Sequence, residues 1–198
     1  MRLLAAALLV LGLLSCESEA DKIYKQGIVS ERAQKNQDFA MTGSPLDSAG
    51  RLNFSGLKYF PIEKSFKAIG QLQPFARPEP VILEQGDTVK RMLKYAEASF
   101  DLKGGSYTLL VYKSMPNPLL TDQNDELFIP FFDATNGSET YEGGRYIYPV
   151  INEEGDLELD FNLASNPYCA YNHKYNCVVP PLSNTLDVEI KAGEKRLH

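Results

Sequence analysis

Residues 157–163 read Leu-Glu-Leu-Asp-Phe-Asn-Leu, and this stretch indicates the fold most clearly. Every odd position is apolar and every even position is polar. A β-strand has this period of two, because successive side chains point to opposite faces of the sheet. The pattern predicts a strand over residues 157–163 in a sheet that packs one face on a core and exposes the other to water.

Similar patterns recur on both sides of this stretch. Residues 186–191 alternate in the same way, residues 92–102 alternate more loosely, and residues 107–112 have the composition of a buried strand. The glycine-containing stretches 103–106 and 152–156 separate such runs and are typical of hairpins. Weaker strands are predicted at 65–73, 79–85, 126–132 and 146–151. The sequence therefore predicts a mainly β fold, an antiparallel β-sandwich or partly closed barrel with a short N-terminal helix at 23–41.

The N-terminus has the order of features found in an export signal. Arg2 is followed by an uncharged apolar run, residues 3–14, which is shorter than the roughly 20 residues of a membrane span. Residues 13–16, Leu-Leu-Ser-Cys, resemble the bacterial lipobox. We therefore predict a signal peptide at 1–15, cleavage before Cys16, and lipid attachment through the thiolate of Cys16. The alternatives are an ordinary signal peptide or an anchor helix in which Cys16 occurs by chance.

This processing would give a lipidated leash at 16–22 and a single β-rich domain at 23–198. The acyl chains on Cys16 would hold the protein at a lipid bilayer in the cell envelope. Glu17, rather than Asp, follows the cysteine, which favours the outer over the inner membrane by analogy with enteric bacteria. The net charge of −6 argues against a nucleic-acid partner, because phosphate binding needs a basic surface.

A glycine-rich acidic segment at 131–146 contains the candidate catalytic residues. Asp133, Glu139 and Arg145 could serve an envelope hydrolase, in which two carboxyl groups flank the scissile bond. The alternative is that Arg145 bridges carboxylates and fixes the loops. Structural ion pairs outnumber active sites, so this alternative is the default interpretation.

A second segment, residues 166–181, is rich in Asn, Tyr and Pro and contains Cys169 and Cys177. Outside a reducing cytoplasm, with Cys16 lipidated, these two cysteines are expected to form a disulfide. A metal site is an alternative, because Cys169, His173 and Cys177 are four residues apart. Pro167 and the nearby asparagines disfavour the helix that this spacing would need, so we expect neither a metal nor another cofactor. A reactive thiol paired with His173 is a third interpretation.

Both segments together resemble a known family. Residues 132–146 and 166–186, followed by Ala-Gly-Glu at 192–194, resemble a signature of the bacterial family named domain of unknown function 1684. The likeness covers roughly residues 20–195. The resemblance implies a single, mostly β domain with many lipoprotein members, and it implies no established activity.

The leading hypothesis is a tethered domain that binds a small molecule, a glycan or an envelope partner. Tyrosine rings would stack on the ligand, while an arginine and two asparagines would hydrogen-bond to it. The candidate binding residues are Tyr141, Arg145, Tyr146, Asn162, Asn166, Tyr168 and Tyr171. The alternatives are the hydrolase above and motifs that serve only to hold the fold together.

Overall fold

A computed structural model of the chain describes residues 18–83, 91–115 and 126–197. The predicted signal peptide and Cys16 lie outside the described residues. Within the described ranges, no helix is both long enough and apolar enough to cross a membrane.

The β structure consists of two sheets. The larger has the strand order β3-β2-β1-β7-β6, and the smaller has the order β5-β4-β8. Neighbouring strands are antiparallel except β4 and β8, which are parallel. The strands are β1 (Lys67–Ile82), β2 (Arg91–Leu102), β3 (Gly105–Ser114), β4 (Ile129–Asp133), β5 (Arg145–Ile147), β6 (Val150–Ile151), β7 (Leu157–Asp160) and β8 (Thr185–Leu186). The predicted mainly β, antiparallel fold is confirmed, and the sheets do not close into a barrel.

The main core lies where alternating residues of the strands meet. On β2 the residues Ala96, Ala98, Phe100 and Leu102 are buried in turn, as the period of two requires. The β2–β3 hairpin turns at Lys103 and Gly104, whose φ angles of 51° and 82° match the turn that suits two twisted strands. The hairpin predicted at 103–106 is therefore confirmed.

Helix α1 (Glu19–Ala40) is longer than predicted and starts within the predicted leash. The Ser18 side chain accepts a hydrogen bond from the backbone N–H of Asp21, which caps the helix. Glu19 and Asp21 add negative charge to the first turn, which the helix dipole favours. Only residues 16–18 of the predicted leash therefore precede the helix. A second helix, α2, is short (Ser48–Leu52).

Two predicted strands are shorter than their alternating sequences suggest. In the 157–163 stretch, β7 ends at Asp160, whose side chain accepts from the N–H of Asn162 and begins a 3₁₀ turn. After β8 the alternating residues 187–191 form no strand. The carbonyl of Val188 still accepts a hydrogen bond from the backbone N–H of Ala134, but the backbone groups of Ile190 bond to side chains. The N–H of Ile190 donates to Asp133, and its carbonyl accepts from Arg145.

Candidate functional site

Arg145, the first residue of β5, is completely buried. Its Nη2 lies 2.8 Å from Oδ2 of Asp133 and 2.8 Å from the carbonyl oxygen of Ile190. Its Nη1 donates to the carbonyls of Ala192 and Glu194. Burial lowers the pKa of Arg145, and the charge of Asp133 opposes this shift. The guanidinium thus holds the C-terminal segment against β4 and β5.

The three candidate catalytic residues do not share a cleft. Asp133 is buried and also accepts hydrogen bonds from the backbone N–H and hydroxyl of Thr135. Glu139 is on the surface, 3.1 Å from Nζ of Lys191, and this contact lowers its pKa. Neither these carboxylates nor Arg145 lines any of the cavities described below. The arrangement fits the structural alternative, in which Arg145 fixes the loops.

Three of the candidate binding residues line one cavity of about 380 Å³, namely Tyr146, Asn166 and Tyr168. A second cavity, of about 370 Å³, shares Lys35 and Tyr148 with the first. We call the two neighbouring cavities together the α1 groove, because Lys35 of α1 lines both. Asn162 lines the second cavity. Tyr141 and Tyr171 line other cavities, of about 200 Å³ and 470 Å³ respectively.

Aromatic rings form one wall of the α1 groove. Tyr148, Tyr168 and Tyr175 are 48%, 51% and 37% exposed, respectively. The Tyr168 and Tyr175 rings meet edge to face with centroids 5.5 Å apart, and Tyr148 packs on Phe128 at the same distance. Exposed rings held by neighbouring rings offer a ligand an apolar surface at low entropic cost.

A buried carboxylate lies in the second cavity of the groove. Glu194 is 1% exposed, and its Oε1 lies 2.5 Å from Nζ of Lys35. Its Oε2 accepts from the hydroxyl of Tyr171 and the backbone N–H of Asn166. Burial, followed by the charge of Glu194, raises the pKa of Tyr171 far above its ordinary value. Sequence reasoning missed both Lys35 and Glu194 as functional residues. The signal in the sequence was the Ala-Gly-Glu motif at 192–194, in which Gly193 adopts a φ of 74° in the turn before Glu194.

Arg32 lines the second cavity next to Lys35. Its Nη1 and Nη2 each lie 3.0 Å from a backbone carbonyl oxygen, those of Phe60 and Asn162. Its guanidinium stacks 4.5 Å from the centre of the Tyr59 ring, and burial lowers its pKa. The Asn162 side chain is already bonded to Tyr24, Asp160 and both backbone groups of residue 63. Asn162 therefore forms part of the groove wall, but its side-chain polar atoms are already hydrogen-bonded within the protein.

Comparison with known proteins places the chain in a family. Residues 52–195 match the family described as a protein of unknown function, DUF1684. The chain belongs to this family. The solution NMR structure of an uncharacterized protein from Haloarcula marismortui is similar to it, with 33% identity and a TM-score of 0.70 over 89% of this chain and 96% of that chain. No curated protein matches. The family resemblance seen in the sequence is thus confirmed, and the family is one of unknown function.

The two cysteines of this DUF1684 domain lie close together on the loop beside the groove. The structure has no disulfide between them, but the backbone N–H of Cys169 donates to Sγ of Cys177 at 3.0 Å. The hydroxyl of Tyr141 lies 3.8 Å from Sγ of Cys169. The disulfide therefore stays a prediction. Among the described residues there is no cluster of three or more His, Cys, Asp or Glu side chains suited to a metal ion, and His173 is not part of one.

Proposed function

We propose that this DUF1684 protein is a lipid-anchored protein of the cell envelope whose domain binds a small molecule in the α1 groove. The observation that carries the binding proposal is the wall of exposed tyrosines beside the ion pair between half-buried Lys35 and buried Glu194. Apolar surface with a few fixed polar groups is typical of small-molecule sites, and the volume of each cavity falls in the usual range for such sites.

The sequence before α1 supports the anchor. Only Glu17 and Ser18 separate Cys16 from the first residue of the helix. Three chain steps reach at most about 10 Å, so a lipid on Cys16 would keep the domain at the bilayer surface. The groove is lined by the same helix, at Glu31, Arg32 and Lys35.

Membrane fractionation tests the anchor. The native protein is expected in the membrane fraction, with a mature N-terminus at Cys16 that carries the mass of acyl chains. The Cys16→Ser variant is expected to lack this modification. Soluble native protein with an unmodified N-terminal stretch would contradict the proposal.

Ligand screening by NMR tests the groove. Detergent-solubilised mature protein is screened against a fragment library, and hits are expected to perturb signals of Tyr148, Tyr168 and Tyr175. The Tyr168→Ala variant should weaken binding about fivefold, since an aromatic contact contributes about 1 kcal/mol. Phe75→Ala is the matched control, because this partly exposed β1 ring lines none of the described cavities. Hits that map only outside the groove, or a screen without hits, would count against the site.

The described residues give no support to the hydrolase. Its acid–base pair would need Asp133 and Glu139 to face a common substrate. Asp133 is instead enclosed with Arg145, and Glu139 pairs with surface lysines.

A further inference from the structure

The α1 groove contains a buried hydrogen-bond acceptor that the protein does not use. Asn166 is 3% exposed and lines the first cavity. Its Nδ2 donates to the hydroxyl of Tyr171 and the carbonyl of Lys195, which fixes the amide. Its Oδ1 has no hydrogen-bond partner among the described residues. A buried polar atom without a partner is destabilising, so a ligand group that reached Oδ1 and donated to it would be favoured.

The second cavity contains an unused donor. Nε of Arg32 is buried and has no partner in the described part of the chain, although both terminal nitrogens of this guanidinium are bonded. Between Arg32 and Asn166 lie Lys35 and Glu194, an ammonium group with spare hydrogens and a carboxylate. A ligand that extends along the groove would therefore contact hydrogen-bond donors and acceptors that lie next to one another.

The charges of the groove argue against an ionic ligand. Its lining contains two cations, Arg32 and Lys35, and three carboxylates, Glu31, Glu126 and Glu194, so the formal sum is −1. In the first cavity Lys35 is the only charged side chain among the described residues, and its ammonium group is already paired with Glu194. A phosphate or carboxylate ligand would therefore meet no unpaired cation there, and a carboxylate could not donate to Asn166. An ammonium ligand could not accept from Arg32. A hydroxyl group can donate to Asn166 Oδ1 and can accept from Arg32 Nε, so a ligand with hydroxyl groups satisfies both atoms.

We infer that the ligand of the α1 groove is a neutral saccharide, a proposal that rests on the proposed binding function. Its hydroxyl groups bond to Asn166 and to the Arg32–Lys35–Glu194 cluster. The C–H face of a sugar ring packs on the exposed rings of Tyr168 and Tyr175.

Saturation-transfer NMR tests the class of ligand. Detergent-solubilised mature protein, in a detergent without a sugar headgroup, is titrated with maltose, cellobiose and N,N′-diacetylchitobiose at millimolar concentrations. Inorganic phosphate, acetate and methylammonium are the charged probes. At least one disaccharide is expected to receive saturation and to perturb the groove signals, whereas the charged probes do not.

Variants separate this inference from the proposed function. Tyr168→Ala changes an exposed side chain and is expected to weaken the disaccharide about fivefold, with Phe75→Ala unchanged. Asn166→Ala, checked for folding by circular dichroism, should lower the affinity further. If charged or apolar fragments occupy the groove and no saccharide does, the saccharide inference is overturned and the proposed function stands. If no ligand of any class perturbs the groove, both are overturned.

Discussion

Replacement of Asp133 by Asn is expected to destabilise the domain strongly, because it leaves Arg145 without its counter-charge. Both side chains are fully enclosed, and Arg145 Nη2 lies 2.8 Å from the carboxylate. Asn has nearly the volume of Asp, so packing is preserved and the change is electrostatic. Its NH₂ group would also compete with the Thr135 and Ile190 N–H donors that now bond to the carboxylate.

The expected loss is about 3–5 kcal/mol, the range for removing one partner of a buried ion pair. In a domain of this size each kcal/mol lowers the melting temperature by about 2–4 °C, so a decrease of about 10 °C is expected. The protein has no tryptophan, so urea unfolding is followed by circular dichroism and tyrosine fluorescence. The measured quantity is the free energy of unfolding in water.

Two comparisons make the result specific. Glu139→Gln removes an ion pair at the surface and is expected to cost less than about 1 kcal/mol. Arg145→Met combined with Asp133→Asn should cost less than the sum of the single changes by about 2 kcal/mol, because the double variant leaves no isolated charge. A loss below about 1 kcal/mol in Asp133→Asn, or strict additivity in the double variant, would refute the structural role of the pair.

Three further predictions concern other parts of the domain. Gly193→Ala should lower the free energy of unfolding, measured by thermal unfolding, by more than about 2 kcal/mol. The new Cβ would lie 2.5 Å from a backbone oxygen, at a φ of 74°. Gly27→Ala is the control, because Gly27 has open space around it on α1, and it should raise the free energy of unfolding by about 0.5–1 kcal/mol. Burial raises the pKa of Tyr112 to about 12. The contribution of the neutral Tyr112 side chain to stability is therefore complete below pH 10 and is lost as the pH rises towards 12. In urea unfolding, the free energy of unfolding of Tyr112→Phe should decrease less at alkaline pH than that of the native protein. Native mature protein kept without reductant should not react with a thiol label, and labelling of Cys169 or Cys177 would disprove the disulfide.

The parts of the fold that depend on residues close together in the sequence could be predicted from the sequence. Strands β2 and β3 and the turn between them follow from local alternation and from glycine at 104. The segment at 187–191 alternates just as clearly and yet forms no strand. The backbone groups of Ile190 bond to the side chains of Asp133 and Arg145, which are distant in sequence, and a local pattern carries no information about them.

The candidate site was predictable only where residue types cluster along the chain. The density of Asn and Tyr at 166–175 pointed to Asn166 and Tyr168, which line the α1 groove. Lys35 and Glu194 come from opposite ends of the chain and meet only in the folded protein. Arg145 was proposed to contact a ligand, but a sequence does not show that a guanidinium is buried and bonded within the fold.

The dependence of Arg145 on the C-terminal segment has a consequence for how the chain folds during its synthesis. The carbonyl groups that accept its hydrogen bonds belong to residues 45, 47 and 49 positions later in the chain. A nascent chain that ends before residue 190 lacks these three carbonyl acceptors, and of the partners described above it offers Arg145 only the Asp133 carboxylate. The packing of β4 and β5 around this guanidinium therefore cannot be completed until residues 190–194 have been synthesised.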